Sequence, residues 1–220
     1  MADYEDKSSL LEEAKTAHKS DKEYWAKIYR AGIDDAKFLS DDPYAQWMEG
    51  DYVDRVSTGR PAITIDQLSQ FIHQVANDIR MNTPTINVIP SGYDSDPEVA
   101  EAYKGIIRNI EYVSSADNAY DTAVFNAIKQ SLGFLRIDHR YIDNTFDQEL
   151  FIDRVINPFS CWLDKESVAI DGSDAKHATI IEKMSVKEFK RLYPGKEVSC
   201  FEDDSSKSHK DDDFISIAEH

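Results

Sequence analysis

Apolar residues along Thr64–Arg80 recur with the period of a single helix face: Leu68, Phe71, Ile72, Val75, Ala76 and Ile79 stand at offsets of 0, 3, 4, 7, 8 and 11. Gln67, Gln70, Gln74 and Asp78 fall elsewhere on the wheel. The spacing predicts a helix over Thr64–Arg80 docked against a broad apolar surface. Thr83-Pro84 stops it, and Thr85–Ile89 reads as a short strand closed by Pro90. Asp96-Pro97 supplies a cap and a first-turn proline for a second helix, whose stripe is Val99, Ala102, Tyr103, Ile106, Ile107, Ile110 and Val113. A third helix, Asn118–Leu132, carries Ala119, Ala123, Ala127 and Ile128 for close helix contact, and Gly133 is placed to end it in the left-handed conformation.

The period then changes. Leu135, Ile137, His139 and Tyr141 alternate with Arg136, Asp138 and Arg140. Asp143-Asn144-Thr145 is turn-like and Glu149–Val155 alternates again, which predicts a hairpin. Cys161-Trp162-Leu163 and His177–Lys183 are further strands around the turn Asp171-Gly172-Ser173-Asp174. Ser185 and Glu188 form a capping box for a short helix through Leu192, and Phe214–Ala218 alternates as a strand. The polar run 202–213 reads as a mobile insertion. Ahead of all this, the first 40 residues read as helical, with one stripe at Leu10, Leu11, Ala14 and Ala17 and another at Tyr24, Trp25, Ile28 and Tyr29 behind a Ser20–Glu23 capping box. Residues 41–62 read mostly as loop. The sum is an α+β chain, helices packed on a mainly antiparallel sheet, with a helical segment and loop over 1–58 and an α+β domain over 59–220.

Composition narrows the possible functions. The 220 residues carry a net charge of −17, and the pI is near 4.7. Gripping nucleic acid depends on Lys and Arg neutralising phosphates, so a surface this acidic is a poor DNA clamp. Solubility accounts for the excess. Cys161 and Cys200 have no partner pattern and fit neither a disulfide framework nor a zinc site, so free thiols in a reducing compartment are expected. There is no basic-then-apolar export signal and no run of apolar residues long enough to span a membrane.

Candidate chemistry is sparse. Asp164, Glu166, Asp171 and Asp174 cluster closely enough for a calcium or magnesium site, but the EF-hand register is absent and a solvated turn is the expected reading. Asp138 and Glu149 lie on neighbouring predicted strands, as the acids of some metal nucleases do. Phe151 stands where such a site would place a lysine, and cross-strand pairing with Arg136, Arg140 or Arg154 is the simpler expectation. The six histidines are scattered, and His73 is read as a surface residue. No nucleotide-binding glycine pattern occurs. Arg60, Arg80, Arg136 and Arg154, at element ends, are expected to pair with carboxylates within the chain, with pairing across subunits as the alternative. No residue is assigned as catalytic, cofactor-binding or metal-ligating.

The order of motifs carries more than any one of them. Asp35-Ala36-Lys37-Phe38-Leu39 and Gln46-Trp47 precede Gly59-Arg60-Pro61 and Thr64. Gln74, Asn77-Asp78-Ile79-Arg80, Pro84 and Ile107-Arg108-Asn109-Ile110-Glu111-Tyr112 follow. Then come Ala119-Tyr120-Asp121-Thr122-Ala123, Gly133-Phe134, Phe146-Asp147-Gln148-Glu149, Asn157-Pro158-Phe159 and Asp171-Gly172-Ser173-Asp174-Ala175. In this succession, from about Asp34 onward, the chain resembles the portal proteins of short-tailed bacteriophages, with Asp66 and Phe134-Leu135 as departures. The family's chain is longer, and this one resembles its N-terminal part, in the outer wing.

The resemblance implies a non-enzymatic subunit of a head–tail connector, a dodecameric ring at one capsid vertex through which double-stranded DNA is packaged and ejected. It implies as partners the packaging terminase, capsid, scaffold and tail proteins, and as location the virion, with the host cytoplasm during assembly. For the chain alone a monomer or small assembly is expected, without cofactor or membrane. A metal-dependent nuclease built on Asp138 and Glu149, or an adaptor domain of another phage structural protein, are the alternatives.

Overall fold

A computed structural model describes residues 2–40, 46–82, 85–92, 96–142, 145–169, 171–195, 210–211 and 214–220. Six helices lie among them: α1 (Ala2–Phe38), α2 (Glu49–Ser57), α3 (Ser69–Met81), α4 (Pro97–Ser114), α5 (Ala116–Gln130) and α6 (Val186–Leu192). The strands are β1 (Leu135–Tyr141), β2 (Gln148–Arg154), β3 (Cys161–Leu163), β4 (Ala178–Ser185), β5 (Lys210–Asp211) and β6 (Phe214–Glu219). The fold is α+β, as the periodicities predict, with the strands divided between two small antiparallel sheets: the hairpin β1–β2 and a four-stranded sheet in the order β3-β4-β6-β5. The chain forms two compact units, one of Met1–Tyr29 with Phe159–His220, the other of Arg30–Pro158.

In the first unit α1 meets β3 and the connection between β3 and β4 through a face that the apolar stripes do not mark. His18, Asp21 and Tyr29 are buried and Trp25 is half-buried, while Leu10, Leu11, Tyr24 and Ile28 are exposed. The expected capping box at Ser20–Glu23 does not form, because α1 continues through it and the backbone N–H groups already have partners. The Trp25 indole donates to the Leu163 carbonyl at 2.9 Å and the Tyr29 hydroxyl donates to the Cys161 carbonyl. Tyr29 packs edge-on against Phe159 and tilted against Trp162, whose ring also meets His18 at 5.0 Å. Burial, and then the neighbouring Cys161, push the Tyr29 phenol far above its ordinary pKa, so it stays a donor. α6 opens as expected, the Ser185 hydroxyl accepting from the Glu188 N–H.

The second unit holds α2 to α5 and the hairpin. The stretch read as loop contains α2, whose single turn of apolar signal is too short to stand out. α3 begins at Ser69 rather than Thr64, because the Asp66 carboxylate accepts from the Leu68 and Ser69 N–H groups and so starts the helix there. Residues 85–90 are not in a strand. α4 has the predicted cap, the Asp96 carboxylate accepting from the Glu98 N–H with Pro97 next in line. Left-handed conformations fall on Ser115 and Ser131, at φ 51° and 65°, and not on Gly133. Gly133 has another role: a Cβ there would lie 2.8 Å from the Ala123 carbonyl carbon, so the chain leaving α5 passes against the helix backbone. Of the acidic run 202–213, all but Lys210–Asp211 lies outside the described residues; those two form β5.

The broad apolar contact expected for α3 does not occur among the described residues. Ile72 and Ala76 are half-buried, but Leu68, Phe71, Val75 and Ile79 are 46, 57, 47 and 40% exposed. α4 behaves alike: Ala100, Lys104, Ile107, Glu111 and Ser114 turn inward, and Val99, Tyr103, Ile106 and Val113 remain exposed. In the hairpin, Leu135, Ile137, Tyr141 and Leu150 are exposed, whereas Arg136, Asp138, Glu149, Phe151 and Asp153 on the opposite face are half-buried. A helix buries its apolar stripe when a complementary surface is present. Within the described residues that surface is missing.

Candidate functional site

Among the described residues, two places gather side chains that distant parts of the sequence supply. In the second unit, Arg80 at the end of α3 donates through Nε to Asp121 of α5 at 2.7 Å, and its Nη2 joins the same carboxylate. Tyr120, next in sequence, donates to Glu111 of α4 at 3.1 Å. One turn further along α5, Ala123 receives the close backbone pass of Gly133. The Asn126 amide, buried, donates to the carbonyls of Val155 and Ile156, and Gln130 donates in turn to the Asn126 oxygen. The segments Asn77–Arg80, Ala119–Ala123 and Gly133-Phe134 therefore meet around α5, beside a cleft of about 530 Å³ lined by Ile79, Arg80, Tyr120, Asp121, Val124 and Leu135 among others. The junction is structural in kind, since its polar groups are spent on one another.

In the first unit, Asp21 of α1 meets the connection between β3 and β4. Asp21 and Asp164 are almost wholly buried, and His177 stands between them, its Nε2 2.8 Å from Asp21 Oδ2 and its Nδ1 3.9 Å from Asp164 Oδ2. Asp21 Oδ1 accepts from the Lys165 N–H, and Asp164 accepts from the N–H groups of Glu166 and Lys176. Those backbone donors hold the Asp164 carboxyl below its usual pKa. The Lys165 and Lys176 ammonium groups go to Ser20 and Glu166 instead. A cavity of about 290 Å³ opens beside this cluster.

The sequence candidates fare differently. Asp171 and Asp174 do not converge with Asp164. The Asp174 carboxylate accepts from the Ser167 hydroxyl and from the Val168 and Ala169 N–H groups, and Asp171 accepts from Ser173, so both carboxylates brace the turn and are held below their ordinary pKa by those bonds. Strand register sets Asp138 opposite Phe151 and Glu149 opposite Arg140, a diagonal pair with a guanidinium and a ring between them. Arg136 lies 3.7 Å from Asp138, and Arg140 pairs with Asp153. Pairing within the chain, the expected reading, therefore holds for Arg80 and Arg136. Arg60 and Arg154 make no ion pair among the described residues. His73 is exposed and stacks on Phe125 at 5.4 Å.

The Asp21–Asp164–His177 group went unseen in the sequence because Asp21 lies 156 positions from His177 and sits inside an apparent helix start. Its one legible sign was polarity, an aspartate on the same helical face as His18, Trp25 and Tyr29. No helix among the described residues is long and apolar enough to cross a membrane. A family model described as phage P22-like portal protein matches residues 15–220. No curated protein matches the chain.

Proposed function

The chain belongs to the phage P22-like portal protein family, and from that membership we propose that it builds the wall of a closed ring, the conduit for DNA packaging and ejection. The family's role is structural, in the phage head–tail connector of the virion. Residues 59–220 serve as a wing-type domain of a dodecamer. Double-stranded DNA passes through the channel, and the packaging terminase, scaffold and tail proteins dock on the ring, which assembles in the host cytoplasm. The mechanism is passive: closed symmetry makes the pore, and no residue of this chain makes or breaks a bond.

One observation supports the assembly beyond family membership. α3 and α4 each leave an apolar stripe uncovered, Leu68, Phe71, Val75 and Ile79 on one and Val99, Tyr103, Ile106 and Val113 on the other. Contiguous exposed apolar faces of this kind mark protein–protein contact. Covering them with a neighbouring subunit satisfies the amphipathic pattern that the described residues leave unmet. The acidic balance of −17 suits a channel or outer surface to which DNA does not adhere.

Replacing Phe71 and Val75 together by Asp tests this reading. Both are about half exposed, so the folded chain keeps its circular dichroism, while ring assembly of the protein that carries it, measured by native mass spectrometry, is lost. Unchanged assembly of the double variant would remove the α3 face from the contact.

A further inference from the structure

We propose that Asp21, Asp164 and His177 form a binding site for one divalent transition-metal ion, with zinc or manganese as the fitting class, which fastens α1 to the β3–β4 connection. Charge is the first argument. Asp21 and Asp164 are 1% and 3% exposed, and burying two carboxylates side by side is costly unless positive charge is placed between them. The nearby ammonium groups are held by other partners, Lys165 Nζ 2.7 Å from the Ser20 hydroxyl and Lys176 Nζ 2.7 Å from Glu166, and Lys176 exerts only a secondary pull on Asp164. A neutral imidazole supplies none and an imidazolium supplies one unit. A divalent ion supplies two, matching both carboxylates.

Geometry is the second argument. One donor atom from each of the three residues lies within 4.8 Å of the others, and no other such group occurs among the described residues. Ligands of a tetrahedral zinc ion at about 2.0–2.1 Å are separated by roughly 3.3 Å. His177 Nε2 and Asp21 Oδ2, at a hydrogen-bond distance of 2.8 Å, separate by about 0.5 Å to admit the ion. Asp164, which faces the other ring nitrogen at 3.9 Å, gives up its bond from the Lys176 N–H to swing in as the third ligand. The backbone N–H groups of Lys165 and Glu166 orient the two carboxylates from behind, as outer-shell donors do in metal sites. The adjoining cavity leaves a coordination position for water and a way in.

Donor type selects the ion. An imidazole with two carboxylates suits zinc or manganese, whereas calcium and magnesium require a fuller set of oxygens. His220 lies with its ring 5.3 Å from that of His177, but its Nδ1 is engaged by the Thr179 hydroxyl, and it is not counted as a ligand.

Isothermal titration of the chelator-treated full chain with zinc, manganese and calcium chloride decides the matter. The expected result is one zinc or manganese ion per chain, affinity reduced at least about tenfold in His177→Ala and in Asp164→Asn, and no comparable calcium binding. Circular dichroism of each variant checks that the fold is kept, and Asp164→Asn removes a buried charge while keeping the side chain's shape. Titration with Co²⁺ provides a second readout, visible d–d bands that are lost in His177→Ala. Absence of zinc and manganese binding would overturn the proposal. So would binding that both variants retain, and in either case the cluster is an aspartate–histidine clasp. Neither result bears on portal assembly, which the α3 substitutions test separately.

Discussion

Gly133→Ala gives the sharpest test of the packing around α5. A methyl group at this position would stand 2.8 Å from the Ala123 carbonyl carbon and 3.2 Å from its Cα, with the carbonyl oxygen closer still. Ordinary carbon–oxygen contacts begin at about 3.3 Å, and the obstructing atoms belong to a helix backbone, which cannot swing aside as a long side chain does. Overpacking of this kind costs about 1–3 kcal/mol, and contact with backbone places Gly133→Ala at or above the upper end. At about 2–4 °C per kcal/mol for a chain of this length, a loss of about 3 kcal/mol lowers the melting temperature by roughly 6–12 °C.

Gly105→Ala is the paired control. Gly105 lies within α4, nothing stands within 4 Å of its would-be Cβ, and alanine there stabilises by about 0.5–1 kcal/mol through helix propensity. Thermal melts followed by circular dichroism at 222 nm report both variants against the parent. Opposite signs are expected. A Gly133→Ala melt within about 1 °C of the parent would refute the close approach of this segment to α5.

Two further outcomes follow from the same structure. Asn126→Ala removes the donor from the carbonyls of Val155 and Ile156 and leaves Gln130 without its acceptor, so urea unfolding shows a loss of about 1–3 kcal/mol. Asp174 has a folded-state pKa below its unfolded one. Its contribution is present above the unfolded value near about 3.9 and disappears as pH falls through the folded value, so Asp174→Asn flattens the acid limb of a stability–pH curve below about pH 4 and lowers stability at neutral pH.

Local chemistry was legible in the sequence wherever it was strictly local. Asp96-Pro97 and Ser185–Glu188 open helices as read, the β1–β2 hairpin forms in register, and Gly172 takes the left-handed turn at φ 67°. Apolar period misled where tertiary structure decided the face. Tyr24 and Ile28 lie on an apolar stripe in the sequence and are exposed, while Asp21, between the expected capping-box residues Ser20 and Glu23, is buried. Gly133 was recognised as special for the wrong reason: the left-handed position is Ser131, and the glycine is required by a neighbour ten residues back in the chain. The Asp21–Asp164–His177 cluster depends on bringing α1 to the β3–β4 connection, and no sequence spacing encodes that approach.

Electron cryomicroscopy of the portal protein that carries this sequence tests the central claim most directly. The account predicts a closed ring in which the faces bearing Phe71 and Tyr103 are covered by neighbouring subunits. A dispersed monomer, or a ring that leaves both faces open to solvent, would contradict it.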